Sequence, residues 1–501
     1  MATHEIQVAL HQHNTETANA IFRGTLSTRP IASRKRVPPV PTSSSASPRR
    51  VLSVLFVGVL LAAFDLAMTG PVLPALRTTF DIAPRAASWV FSVFVLFNLM
   101  GVPLLTRLAD RFGRRLVFTT AVVGFGAGAA IVALAPSFTL LLVGRAVQGA
   151  AASGIFPAAT AMVGDVYPST ERGRALGILG AVYGIAFLIG PALAGIVLAV
   201  ADWSWLYAGS VPVAAGVAWV AWRVLPPFER QAPDAATHLD AAGIVLLGLT
   251  LALGAYGINQ VDATAPLQSL VRLDVGGCLV LAGILCAGFV AAERRAPDPL
   301  LRLGLFRDSQ VLRASLLAIG AGMVETSFIF FADLAVVAFN VPQSTASFML
   351  MPLVGAVALG SPVAGRLLDR LGAPAVVQGG TLLLTVGLAL LAWMPTQQAA
   401  FYAGSVLLGL GLAVLLGSAL SYILLEAAAE TERTVVQGLN TLSLGMGQLL
   451  GSALVGAVAA SAAGVAGYAQ AFALLTGVGG LCALVAWGLP QARPMKKDVS
   501  R

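Results

Sequence analysis

Four ionisable side chains stand near the middle of long apolar runs of the chain: Asp65, Arg145, Glu325 and Asp333. A charged group at that depth in hydrocarbon costs roughly 2.5 to 3.5 kcal/mol on insertion scales, so each implies a use or a partner. The chemistry open to a carboxylate there is the uptake and loss of a proton. Arg145 is the one basic residue near the middle of any run. A fixed cation beside Asp65 and the loss of water around it act in opposite senses, and their balance makes an adjustable proton site. A purely structural ion pair is the alternative. Glu325 and Asp333 are eight residues apart, a rotation of about 800° that leaves them about 80° apart on one broad side of a helix. The outer one, Asp333, can reach the headgroups, whereas Glu325 has no such escape and should face a cavity. Other groups are ruled out by position. The three lysines (Lys35, Lys496, Lys497) lie in the tails, so no phosphate-cradling loop ending in Gly-Lys-Ser/Thr exists and an ATP-driven pump is excluded. The four histidines (His4, His11, His13, His238) lie outside the runs, leaving no imidazole relay and no expected metal site. Cys278, Cys286 and Cys482 sit in apolar runs and read as small hydrophobes.

The elements that position these groups follow from composition. The chain is 57% hydrophobic and 11% charged, with a mean hydropathy of +0.84, far from the roughly 25% charged residues of soluble domains. This is a membrane protein. Apolar runs fall at 51–73, 87–107, 116–135, 138–163, 175–200, 205–225, 239–260, 272–292, 311–339, 345–365, 374–394, 399–425, 434–462 and 468–489. Each has the roughly 20 residues that a helix needs to cross the bilayer, so the fold class is all-α with 14 transmembrane helices. An even count puts both termini on one side. Alternate loops hold fifteen arginines, while the opposite loops hold Arg77 and Arg85, with Arg272 at a helix edge. The positive-inside rule then makes both termini cytoplasmic. The net charge of +8 is mostly this orientation signal, and no nucleic-acid partner is needed to explain it. All seven tryptophans fall near predicted helix ends, where the ring prefers the headgroup level. Residues 1–50, with scattered Arg, Pro and Ser, read as a disordered cytoplasmic tail without a cleavable signal peptide, and 490–501 as a second tail.

A charged knot, Thr106-Arg107-Leu108-Ala109-Asp110-Arg111-Phe112-Gly113-Arg114-Arg115, separates the second and third runs, and its order recurs at Gly365-Arg366-Leu367-Leu368-Asp369-Arg370-Leu371-Gly372. Asp110 lies 59 residues after an apolar segment that begins near Val51 and Asp369 lies 59 after one that begins near Gln310, so the chain is two related halves. The knots resemble the loop between helices 2 and 3 of major facilitator superfamily transporters and its duplicate between helices 8 and 9. The resemblance implies a major facilitator fold of two six-helix bundles, at 51–225 and 310–489. The runs at 239–292 are then two additional helices inserted between the bundles, with a packing or lipid-facing role. Asp110, Arg111, Gly113, Arg114, Asp369 and Arg370 would form a cytoplasmic gate.

Further stretches resemble the fourteen-helix drug/proton antiporter branch of that superfamily: Asp65 followed nine residues later by Pro74, Trp89 to Phe94, and Gly144-Arg145-Ala146-Val147-Gln148-Gly149. In the fifth run Gly184 and then Gly190-Pro191-Ala192-Leu193-Ala194-Gly195 look like the superfamily's antiporter motif. The implied function is not catalytic. It is proton-coupled export of small amphiphilic compounds, cationic or apolar, of the multidrug efflux type, by alternating access. The motor is the proton gradient and no cofactor is expected. Asp65, Arg145, Glu325 and Asp333 would carry proton and substrate, and the partners would be a small-molecule substrate, protons and membrane lipid, with the chain a monomer in the cell membrane. Two alternatives stand beside this reading. One is a proton symporter or facilitator for a nutrient or metabolite in the same fold, disfavoured by the Gly190-Pro191 motif. The other is a non-transporting receptor or scaffold, which would leave the mid-span charges without a use.

Overall fold

A computed structural model describes residues 47–227, 240–296, 299–427 and 433–489. Within these ranges the side chains of Asp110 and Asp369 are among the few outside the description, as are most of both tails and of the linker between the first bundle and the additional helices. Every regular element among the described residues is helical. Fourteen helices among them are long and apolar enough to cross a membrane, numbered here in chain order: α1 (Pro48–Phe80), α2 (Pro84–Ala109), α3 (Arg114–Ala133), α4 (Phe138–Val166), α5 (Arg174–Val200), α6 (Ser204–Val224), α7 (Ala241–Asn259), α8 (Leu273–Glu293), α9 (Ser309–Phe339), α10 (Gln343–Leu368), α11 (Ala373–Trp393), α12 (Gln398–Leu424), α13 (Val435–Ala459) and α14 (Val465–Trp487). In lipid every backbone donor and acceptor must be satisfied within the protein, and a helix does this within its own segment.

The duplication in the sequence is a duplication of packing. In the first half α1 lies against α4, α5 and α6, α2 against α4, and α3 against α4 and α6. Shifted by eight helices, α9 lies against α12, α13 and α14, α10 against α12, and α11 against α12 and α14. The halves meet through α1 with α9 and α10, α5 with α10, and α2 with α13. Both knots break the chain identically. Gly113 (φ 95°) and Gly372 (φ 79°) occupy a backbone region closed to most L-residues, which lets a helix stop and the next start one residue later. The additional pair sits outside this arrangement: α7 packs on α2 and α13, and α8 packs chiefly on α7.

Two departures from the sequence reading matter for the site. The first helix does not end near residue 73 but runs through Pro71 and Pro74 to Phe80, so Arg77 is a helical residue and not a loop charge. The ninth is broken at Thr326, directly after Glu325, with helix resuming at Ser327. Thr326 keeps helical angles (φ −63°, ψ −16°), so the interruption is local, and the two carboxylates on either side of it take different surroundings.

Candidate functional site

The first half holds Asp65 and Arg145 together, as their depth in α1 and α4 implied. Arg145 Nη1 donates to Asp65 Oδ2 at 2.5 Å and to Gln148 Oε1 at 3.0 Å. Its Nη2 donates to Thr69 Oγ1 at 3.2 Å and its Nε to the Val90 carbonyl at 3.0 Å. The guanidinium carbon lies 4.6 Å from the centre of the Phe94 ring. Asp65 Oδ1 accepts from Gln148 Nε2 at 2.9 Å, so both of its oxygens are engaged. Arg145 and Gln148 are wholly buried and Asp65 nearly so. A planar guanidinium with five fixed donors suits such a nest, where an ammonium would leave acceptors unmatched. Gln148, three residues after Arg145 and so on the same helical face, was quoted in the sequence only as part of a motif.

Glu325 is placed differently. Its side chain is half-buried and stands on the wall of a small cleft between the halves, with Ala67 and Gly70 of α1, Phe91 of α2, Phe187 of α5 and Phe328 of α9. The remaining lining residues are also apolar, which makes Glu325 the one ionisable side chain on that wall among the described residues. Gln448 of α13 donates its Nε2 hydrogen to Glu325 Oε2 at 2.9 Å. Two further amides of α13, Gln437 and Asn440, reach Ser421 of α12 instead. Asp65 does not line the cleft. It lies behind the wall that Leu66 and Ala67 form. At the cleft α1 crosses α9 closely, because Gly70 lets the Phe328 backbone approach: a Cβ there would stand 2.7 Å from the Phe328 carbonyl oxygen.

Beyond that crossing, on the side away from the knots, Asp333 is buried and does not extend to the headgroups. Its Oδ2 accepts from Arg77 Nη1 at 2.8 Å and from the Tyr468 hydroxyl at 2.7 Å, and Arg77 is within 2.6 Å of the same hydroxyl. Arg77 belongs to α1, Asp333 to α9 and Tyr468 to α14, so this pair ties the halves together. Gln343 to Thr78 at 3.3 Å and Ser92 to Ser452 at 3.1 Å add further bonds between the halves on the same side.

The antiporter-like stretch of α5 divides by position. A Cβ at Gly190 would meet Ala67 Cβ at 2.7 Å, and one at Gly195 would meet the Phe348 ring at 2.8 Å, so these two seat α5 against α1 and α10. Pro191 lies between them inside the helix, while Gly184 faces open space. In the first knot, Arg114 bonds to Asp165 and to the Ala161 carbonyl, Arg115 bonds to the Trp222 carbonyl and stacks on its ring, and Arg111 lies over Phe112. All these partners belong to the first half. The Asp110 and Asp369 carboxylates, with which a gate was expected, lie outside the described residues.

The family profile described as Major Facilitator Superfamily matches residues 55–357 and 314–501. A Bacillus subtilis (strain 168) protein named uncharacterized MFS-type transporter YfiU is 32% identical over 404 residues, covering 79% of this chain and 77% of its own. The puromycin resistance protein pur8 of Streptomyces alboniger is 28% identical, over 93% of this chain and 97% of its own. Among solved structures, the human organic anion transporter MFSD10 superposes with a TM-score of 0.60 at 20% identity, covering 88% of this chain and 99% of its own, a likeness of fold.

Proposed function

Because the chain belongs to the major facilitator superfamily, we propose that it is a proton-driven antiporter that exports small amphiphilic compounds, cationic or apolar, by alternating access. The observation that carries the reading is Glu325 alone among aromatic and aliphatic residues on the cleft between the halves. Phe91, Phe187 and Phe328 suit an apolar body, and their ring faces also attract a cation. One carboxylate on such a wall balances either a bound cation or a proton, and that exclusivity is what exchange requires. Asp65, sealed with Arg145 behind the same wall, holds α1 against α4; it exchanges a proton only in a conformation that parts the two. The name of the puromycin resistance relative supports a drug-like substrate.

On this reading the arginine-rich knots and both termini of the multi-pass cell-membrane protein are cytoplasmic; the hydrogen bonds between Arg77, Asp333 and Tyr468 would then close the external side, the arrangement of an inward-facing state. Asp110, Arg111, Gly113, Arg114, Asp369 and Arg370 are the proposed contacts of the opposite, outward-facing state. The test uses proteoliposomes and a panel of lipophilic cations such as tetraphenylphosphonium. Addition of a transported cation should release protons, and Glu325→Gln should lose that release while Gln448→Ala only weakens it. Uphill transport that ignores an imposed pH gradient in the parent protein would refute the reading.

A further inference from the structure

The additional helices were expected to pack or face lipid, yet one side chain in them is placed for more than that. Asn259, the last residue of α7, is wholly buried. Its Nδ2 donates to Ser88 Oγ at 3.0 Å and lies 3.3 Å from the Arg85 carbonyl, both in the first half, and lies 3.3 Å from the Ala453 carbonyl of α13 in the second. Its Oδ1 accepts from Trp89 Nε1 at 3.1 Å. The orientation of this amide is fixed by chemistry: an indole nitrogen only donates and a carbonyl only accepts, so the two ends of the amide cannot be exchanged. Around it the seam is tight. A Cβ on Gly456 would stand 2.7 Å from Ser88 Oγ and 3.2 Å from Asn259 Nδ2. Ser452 Oγ donates to the Ser88 carbonyl at 3.1 Å. The loop after α7 makes the same connection once more, since Arg85 Nη2 of the first half donates to the Val261 carbonyl at 3.0 Å and the Ala263 amide donates to Ser461 Oγ of the second at 3.0 Å.

We infer that the inserted helix pair is a clamp that holds α2 to α13 on the side away from the knots, with Asn259 as its positioning residue. The inference rests on the alternating-access reading above. If the halves separate on that side during the cycle, the Ala453 bond and the Ala263 to Ser461 bond must break, whereas those to Ser88, Arg85 and Trp89 stay within the contact of α7 with the first half. The pair therefore travels with the first half and releases the second. Each bond it makes to α13 and the loop beyond it weights the equilibrium toward the state seen here.

The test is a distance measurement on the full chain in lipid nanodiscs, with Cys278, Cys286 and Cys482 replaced by Ala. Spin labels go on cysteines at Leu134 and Met394, exposed positions just beyond α3 and α11 on the side of the clamp. The parent should show a dominant short distance and a minor long one that grows with pH change or added tetraphenylphosphonium. Asn259→Ala should raise the ratio of long to short by about tenfold, equivalent to about 1.4 kcal/mol, without broadening either peak. Ser461→Ala, at a half-buried loop position, should move it the same way by less, and it keeps the test open should Asn259→Ala not fold. A parent that interconverts while both variants keep its ratio overturns the clamp alone. A parent locked at one distance under every condition overturns alternating access, and the clamp with it.

Discussion

Replacing Arg145 by Met keeps much of the side-chain length but removes the charge that Asp65 faces at 2.5 Å. Removing one partner of a buried ion pair costs about 3 to 5 kcal/mol, because the other is left as an uncompensated charge. The upper end applies here. Asp65 retains a single amide donor from Gln148, and the Val90 carbonyl and Thr69 also lose a donor. In the double variant Asp65→Asn with Arg145→Met the stranded charge is gone. It should regain about half of the loss, about 2.5 kcal/mol relative to Arg145→Met alone. The assay is denaturant unfolding of the purified protein in one detergent, followed by tryptophan fluorescence, for the parent, both single variants and the double. A double variant no more stable than Arg145→Met would refute the argument, because the penalty would then come from lost packing around the guanidinium and not from an unpaired carboxylate.

Other expectations follow from single contacts. Asp65→Asn should abolish proton-driven export in the proteoliposome assay while leaving binding of tetraphenylphosphonium at Glu325 within a few-fold of the parent. Gly70→Val, whose Cβ would collide with the Phe328 carbonyl oxygen at 2.7 Å, should lower stability by about 1 to 3 kcal/mol; Gly184→Ala, with open space around it, should stay within about 0.5 kcal/mol. Tyr468→Phe removes a hydroxyl that serves both Arg77 and Asp333; it should cost about 1 kcal/mol and increase the reactivity of a cysteine at Thr78 toward a water-soluble maleimide. A cysteine at Asp369 should resist a membrane-impermeant maleimide in intact cells and react after lysis, and the opposite result would invert the assigned orientation.

The helices were legible because a bilayer imposes one length and one polarity on every span, and the halves because a charged knot was copied with its spacing. The Asp65 to Arg145 contact was legible for a related reason: two opposite charges stranded at one depth have few other partners. The Arg77 to Asp333 pair was not. Pro71 and Pro74 followed by Arg77, Thr78 and Thr79 have the composition of a helix ending at a loop, and nothing local shows that α9, 256 residues away, supplies a carboxylate there. Counting degrees of rotation put Glu325 and Asp333 on one side of a helix, but it says nothing of what each meets there, Gln448 for the first and Arg77 with Tyr468 for the second. Asn259 gave no signal beyond being an amide in an apolar run, since its importance lies wholly in what faces it.

The eighth helix has a consequence of another kind, for how the chain enters the membrane during synthesis. Its Val280 and Ile284 remain 64% and 62% exposed, and its protein contacts are chiefly with α7. Its residence in the bilayer is decided by its own partitioning as it leaves the ribosome, paired at most with the helix made just before it. A lysine introduced at Ile284 would therefore meet the full insertion penalty of a central charge, whereas Asp65 meets Arg145 once α4 arrives. Defects along this helix should appear as chains that fail to insert, and defects along α1 as chains that insert and then fail to work.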